Sequence, residues 1–131
     1  MVLDTSALVA MVLSEPLASR LLEAIEREPT RFISSVSVLE SGIVLRARAG
    51  APIVAMMHAL LAELGIEVIP FDEVQARLAI QAFERFGKGM KHRAQLNFGD
   101  CAVYALAASR AEAILATGND FKATGTPVLP I

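Results

Sequence analysis

Short apolar runs alternate with longer amphipathic ones along this chain, and the two spacings separate strands from helices. "MVLD" at 1–4 is an apolar run that ends in Asp4, as a short buried strand does. "TSALVAMVL" then predicts a helix capped by Thr5 or Ser6. In "EPLASRLLEAIERE" apolar residues recur at Leu17, Leu21, Leu22 and Ile25, which predicts a second helix with Pro16 in its first turn. "RFIS" predicts a second strand. Ser35 or Ser37 is expected to cap "VSVLESGIVLRARA", which stops at Gly50. "APIVAMMHALLAELG" predicts a helix opened by Pro52 and closed by Gly65, and "IEVIPF" a third strand. "DEVQARLAIQAFERFG" predicts a helix capped by Asp72, with Val74, Leu78 and Ala82 inward and Gly87 at its end. "GKGMKHRAQ" reads as a loop, and a further helix is expected from about Phe98 to Arg110. "AILAT" and "PVLPI" complete the chain as a fourth strand and a short fifth one.

Strands that alternate with helices predict an α/β fold, a mostly parallel central sheet of four to five strands with helices on both faces. Residues 1–131 fit a single domain. Apolar residues make up 54% of the chain, yet none of its runs approaches the roughly 18 residues that span a bilayer, so no membrane association is expected. The surplus suggests a buried sheet, a partner surface, or both, and stretches 8–13 and 36–64 are the expected partner surface. One cysteine excludes an internal disulfide framework and suits the cytoplasm. A net charge of −2 argues against a generally basic nucleic-acid binder but leaves room for a local patch.

The acids carry the chemistry. Asp4 ends the first strand, Glu40 lies early in the helix after the second, Asp100 opens the helix before the fourth, and Asp120 follows the fourth. In a parallel sheet, strand ends and the starts of the following helices share one rim, where ligands bind. Glu40 is expected to face inward with Val36 and Ile43. Three of the acids also have a plain structural role open to them, Asp4 or Asp100 as a helix cap and Asp120 as a turn residue; inward-facing Glu40 is the hardest to assign one. Together on one rim they repel, by roughly 3 kcal/mol per pair at about 5 Å and an effective dielectric near 20. A hard divalent cation removes that repulsion. All-oxygen donors without a His or Cys cluster favour Mg²⁺ or Mn²⁺ over zinc. Such sites commonly direct water at a phosphodiester.

"MVLDTSALVAMVLSEP", "ISSVSVLESGIVLRAR", "LNFGDCAVYALA" and "GNDF" together resemble the PIN-domain ribonucleases of the VapC toxin type, over essentially the whole chain. The resemblance implies a Mg²⁺- or Mn²⁺-dependent endoribonuclease, toxic to its own cell and held inactive by a cognate VapB-type antitoxin. By motif, Asp4, Glu40 and Asp100 match the family's metal-binding acids, Asp120 its more variable fourth, and Ser6 the hydroxyl residue beside the first Asp. Thr117 stands where similar toxins often carry Lys, and Thr124-Gly125 where they often carry Thr-Asp. The alternative is a PIN-fold RNA- or protein-binding module that has lost activity. An aspartyl-phosphate phosphatase would want a second Asp two residues after Asp4, where this chain has Ser6.

The one basic cluster comprises Arg85, Lys88, Lys91, His92 and Arg93. Lys88, Lys91 and Arg93 are candidate contacts to RNA phosphates, and cations there also suit a helix C-terminus. Cys101 reads as a core thiol, and His58 as a surface or interface residue. A two-fold homodimer is expected, the commonest closed symmetry.

Overall fold

The central strand is only two residues long, β1 (Val2–Leu3), yet every layer of the fold meets it. The computed structural model describes residues 1–131. After β1 come α1 (Thr5–Val12), α2 (Ala18–Glu26), β2 (Phe32–Ser34), α3 (Ser35–Ala49), α4 (Pro52–Glu63), β3 (Glu67–Ile69), α5 (Glu73–Phe86), α6 (Phe98–Arg110) and β4 (Ile114–Leu115). The four strands are parallel, in the order β3-β2-β1-β4. The chain therefore steps outward from β1 through β2 to β3, then crosses back to lay β4 on the other side of β1. The reversal between β1 and β4 leaves a crevice at the carboxyl ends of these strands, where such sheets bind ligands.

Alternation along the strands builds two cores. Leu3, Ile33 and Leu115 pack with the buried residues of α1 to α4. Val2, Ile69 and Ile114 pack with α5 and α6, including Phe86, Val103 and Leu106. Strands buried on both faces explain the unbroken apolar runs of the sequence.

Several local expectations are corrected. Asp4, not Thr5 or Ser6, caps α1: its backbone is extended and its side chain accepts from Ser6 N–H. Ser34, not Ser35 or Ser37, caps α3 in the same way. β2 passes into α3 with no loop, so its last residue is the cap, and the single residue between β1 and α1, Asp4, caps α1. Pro16 precedes α2, which begins at Ala18. The inward face of α5 is Gln75, Ala82 and Phe86, whereas Val74 is 63% exposed. Gly87 ends α5 in an extended conformation, and a Cβ there would stand 2.5 Å from the Phe83 carbonyl oxygen, so this close approach requires the glycine. "PVLPI" forms one bridge, Val128 to Ile114, and no strand. Pro127 and Pro130 lack the N–H that a ladder needs. Residues 8–11 of α1 are buried core, which removes them from the expected partner surface; Leu39, Ile43 and Met56 within 36–64 are exposed.

Candidate active site

The crevice at the strand reversal is a pocket of about 420 Å³, and all four acids line it. Asp4 comes from the end of β1, Glu40 from α3, Asp100 from the first turn of α6, and Asp120 from the turn after β4. Asp4 is only 6% exposed. Burial raises its carboxyl above the usual range and the Glu40 charge adds to this, while hydrogen bonds from Ser6 pull it back. Both Ser6 N and Ser6 Oγ donate to Asp4 Oδ2, at 3.0 and 2.5 Å. Ser6 Oγ in turn accepts from Thr117 N, at 3.1 Å. One hydroxyl thus ties the end of β1 to the segment leaving β4. Ser6, a candidate substrate contact by its match to the family's hydroxyl residue, lines the pocket and also orients Asp4.

Asp100 is both a cap and a pocket acid. Asn97 caps α6 by accepting from Asp100 N, and Asp100 Oδ2 accepts from Asn97 N, a reciprocal capping box. Burial raises the Asp100 carboxyl to about 6; the Asn97 hydrogen bond opposes this, and the charges of Asp4, Asp120 and Glu40 reinforce it. The cap therefore fixes the position of the carboxylate without neutralising it.

Glu40 reaches the pocket for a reason other than the one expected. Ile43 is 62% exposed, and the inward face of α3 is Ser37, Ser41 and Leu45. Glu40 lies beside that face, and Val44 lines the pocket one turn further on. Its carboxylate rests against the backbone of Gly99. A Cβ on Gly99 would come within 2.6 Å of Glu40 Oε2 and 2.7 Å of Oε1. Gly99, whose missing Cβ leaves room for the Glu40 carboxylate, is a site residue that the sequence reading does not single out. The available signal was a poor helix former in the first turn, directly before a pocket acid. Arg48 and Glu15 also line the pocket and were missed.

The other expectations divide. Lys88, Lys91 and Arg93 are exposed on the loop before α6, and none of them lines the pocket. Cys101 is buried, and burial pushes its thiol up to about 11, so it is no nucleophile at neutral pH. His92 accepts from Ala94 N and packs edge-on against Phe86.

The pocket acids do not close round a single point. In kind they fit a hard divalent cation: the donors are all carboxylates, none of the four has a cationic partner, and Thr5 Oγ1 is buried there without a hydrogen bond. This is a parallel α/β domain whose carboxylates gather at its strand reversal, a donor set suited to a hard cation. The PIN domain family matches residues 1–127. Ribonuclease VapC28 of Mycobacterium tuberculosis is 43% identical over 125 residues, covering 95% of this chain and 94% of that one. Among solved structures, the sarcin–ricin loop cleaving toxin VapC20 of M. tuberculosis superposes with a TM-score of 0.80 at 18% identity, covering 98% and 97% of the two chains. A toxin–antitoxin complex from Klebsiella pneumoniae gives 0.73 at 17% identity, covering 99% and 97%. The chain belongs to the PIN-domain family, in its VapC ribonuclease branch.

Two outcomes follow from this geometry. The raised Asp100 carboxyl lowers stability as pH rises. Below 3.8 the group is protonated in both states; between 3.8 and about 6 the unfolded chain ionises first, and stability falls across that window. In EDTA, wild type is therefore expected to lose melting temperature between pH 4.5 and 7.5 relative to Asp100→Asn, which keeps an acceptor for Asn97 N–H. Saturating Mn²⁺ should reverse the order at pH 7.5, with wild type gaining about 2.7 kcal/mol at a hundredfold excess over Kd. Equal gains in both proteins would mean that Asp100 is a cap alone. Gly99→Ala should hold or raise the melting temperature, because alanine is favoured over glycine in helices by up to about 1 kcal/mol. Its Cβ displaces the Glu40 carboxylate, so Mn²⁺ affinity measured by calorimetry should fall at least tenfold. Wild-type affinity in this variant would remove the role given to Gly99.

Proposed function

We propose that this chain is the toxin of a toxin–antitoxin pair, an endoribonuclease that hydrolyses RNA phosphodiesters at a carboxylate-bound Mg²⁺ or Mn²⁺ site. One observation carries the reading: four carboxylates from four separate elements line one pocket, with no cation paired to any of them. Its membership of the VapC ribonucleases supports the same activity. Asp4, Glu40, Asp100 and Asp120 are the proposed metal-binding and catalytic residues. Mg²⁺ or Mn²⁺ supplies the Lewis acidity that activates water and offsets charge on the phosphate. The chain supplies the placement. Ser6 fixes the rotamer of Asp4, the capping box fixes Asp100, and the flat backbone at Gly99 seats Glu40. Val9 and Phe121 form an apolar wall that limits water around the acids.

Lys88, Lys91 and Arg93 are proposed to hold RNA phosphates outside the pocket, and the cytoplasm is the proposed site of action. No helix is long and apolar enough to cross a membrane. Partners are proposed from two separate apolar faces. The groove between α5 and α6, about 590 Å³, is lined by Val36, Ile80, Phe83 and Phe98 among others, with Glu84 its one polar residue. Interfaces between permanently joined copies are the most apolar kind, and this groove is assigned to the homodimer. The face of α3 and α4 mixes Leu39, Ile43 and Val54 with Arg46 and His58. A mixed surface suits a separable partner, here a VapB-type antitoxin. The Klebsiella structure is itself a toxin–antitoxin complex.

Purified protein free of antitoxin is expected to cut RNA with Mg²⁺ or Mn²⁺ and to stop in EDTA. No cleavage with any divalent metal would give the lead to the binding-module alternative. Ile80→Glu should convert a dimer to a monomer by light scattering, and Ile43→Glu should leave the dimer intact. A wild-type chain that stays monomeric at high concentration would remove the assignment of the groove.

A further inference from the structure

Five acids line the active pocket, and Arg48 is its only basic residue. The fifth acid, Glu15, lies opposite Arg48, and the two form a loose pair, Nη1 to Oε1 at 3.7 Å. We infer that Arg48 binds a phosphate of the RNA strand next to the one being cut, and that Glu15 holds Arg48 at the mouth until that phosphate displaces it. The inference rests on the ribonuclease reading above.

Placement is the first argument. Glu40, Val44 and Arg48 recur every fourth residue on α3, and all three line the pocket. Eight residues of helix set Arg48 about 12 Å along the axis from Glu40, too far to pair with it but within one strand's path. A phosphate entering an acidic pocket is repelled unless a cation meets it, and a guanidinium matches phosphate oxygens with two parallel donors. Thr117, where similar toxins often carry Lys, contributes no such cation from the other wall.

The second argument is how Glu15 is held. Ser14 is left-handed, with φ of 53°, and Glu15 N donates to Ala10 O at 2.9 Å. This is a Schellman-type end to α1, and it fixes the backbone of Glu15 at the pocket mouth. The pair itself is weak. At 3.7 Å it exceeds hydrogen-bond length, and its side chains are 56% and 41% exposed. Exposed pairs of this kind exchange readily, and a phosphate offers Arg48 a stronger acceptor. The carboxylate then competes with substrate: it keeps the arginine extended across the mouth and weakens binding by the worth of the pair.

The test measures binding and turnover together. Binding uses a fluorescein-labelled single-stranded DNA oligonucleotide, which offers the same phosphates, titrated by anisotropy over a range of NaCl with Mn²⁺ present. Arg48→Gln should weaken binding about tenfold and reduce the salt slope by about 0.7, the value for one phosphate contact on a single strand. Arg48→Lys should restore the slope but only part of the affinity, as a point charge lacks the fork. Glu15→Gln should tighten binding roughly twofold to fivefold, the range an exposed pair allows. Adding Glu15→Gln to Arg48→Gln should then change nothing. On RNA, Arg48→Gln should raise KM and leave kcat near wild type, with Mn²⁺ affinity unchanged. An unaltered slope in Arg48→Gln, in a wild type that cuts RNA, overturns the inference and leaves the ribonuclease reading standing. A wild type that cuts no RNA overturns that reading, while the slope still decides whether Arg48 meets a phosphate.

Discussion

Asp4 is a carboxylate held almost out of water at the end of the central strand, and much of the architecture serves to keep it there. An isolated buried carboxylate is expensive, and proteins hydrogen-bond it, pair it or give it a metal. Here Ser6 supplies two hydrogen bonds and the start of α1 supplies a favourable dipole. No arginine or lysine completes the neutralisation. Glu40, Asp100 and Asp120 instead bring more negative charge to the same crevice. The sheet order makes this unavoidable, because β1 lies next to β4 and the turns after both must meet. Local repulsion is thus built into the topology, and the stability of the two cores carries it.

Much of this was legible in the sequence, for a physical reason. Strands buried on both faces read as apolar runs, so their ends are sharp, and an acid at such an end stands out. Asp4 after "MVL" and "GNDF" after "AILAT" could be placed on one rim from strand order alone. The bounds of α6 were also legible, because Asn97 and Arg110 are strong end signals. The errors share a cause. Where a strand runs into a helix with one residue or none between them, the cap is the residue at the junction, and a rule that looks further on lands late. This moved the caps of α1 and α3. On α5 the apolar stripe misled, because the packed face includes Gln75, whose Nε2 donates to Pro70 O, while Val74 faces out.

Residues that act through shape or distance were the least legible. Gly99 has no chemistry of its own, and its role is the room it leaves for Glu40. Arg48 is eight positions from Glu40, and nothing in the sequence brings Glu15 to it. The hydrogen bonds of Ser6 to Asp4 and from Thr117 N join residues far apart in the chain, so its part in orienting Asp4 was not legible.

The segment from Asn97 to Asp100 shows how fold and site share the same four residues. Asn97 and Asp100 cap each other, an arrangement worth about 1 kcal/mol to a helix. Phe98, 84% exposed, opens onto the groove assigned to the dimer, and Gly99 faces Glu40. Successive side chains of one helical turn point roughly 100° apart, so one turn can serve a partner, a neighbouring acid and the pocket at once. A helix opening chosen for stability alone would not place a glycine and a half-buried acid together there. Burial and the charges of Asp4, Asp120 and Glu40 raise the Asp100 carboxyl against the pull of the cap's own hydrogen bond. The acids are spread over four elements, so each anchors in its own packing while all line the same pocket.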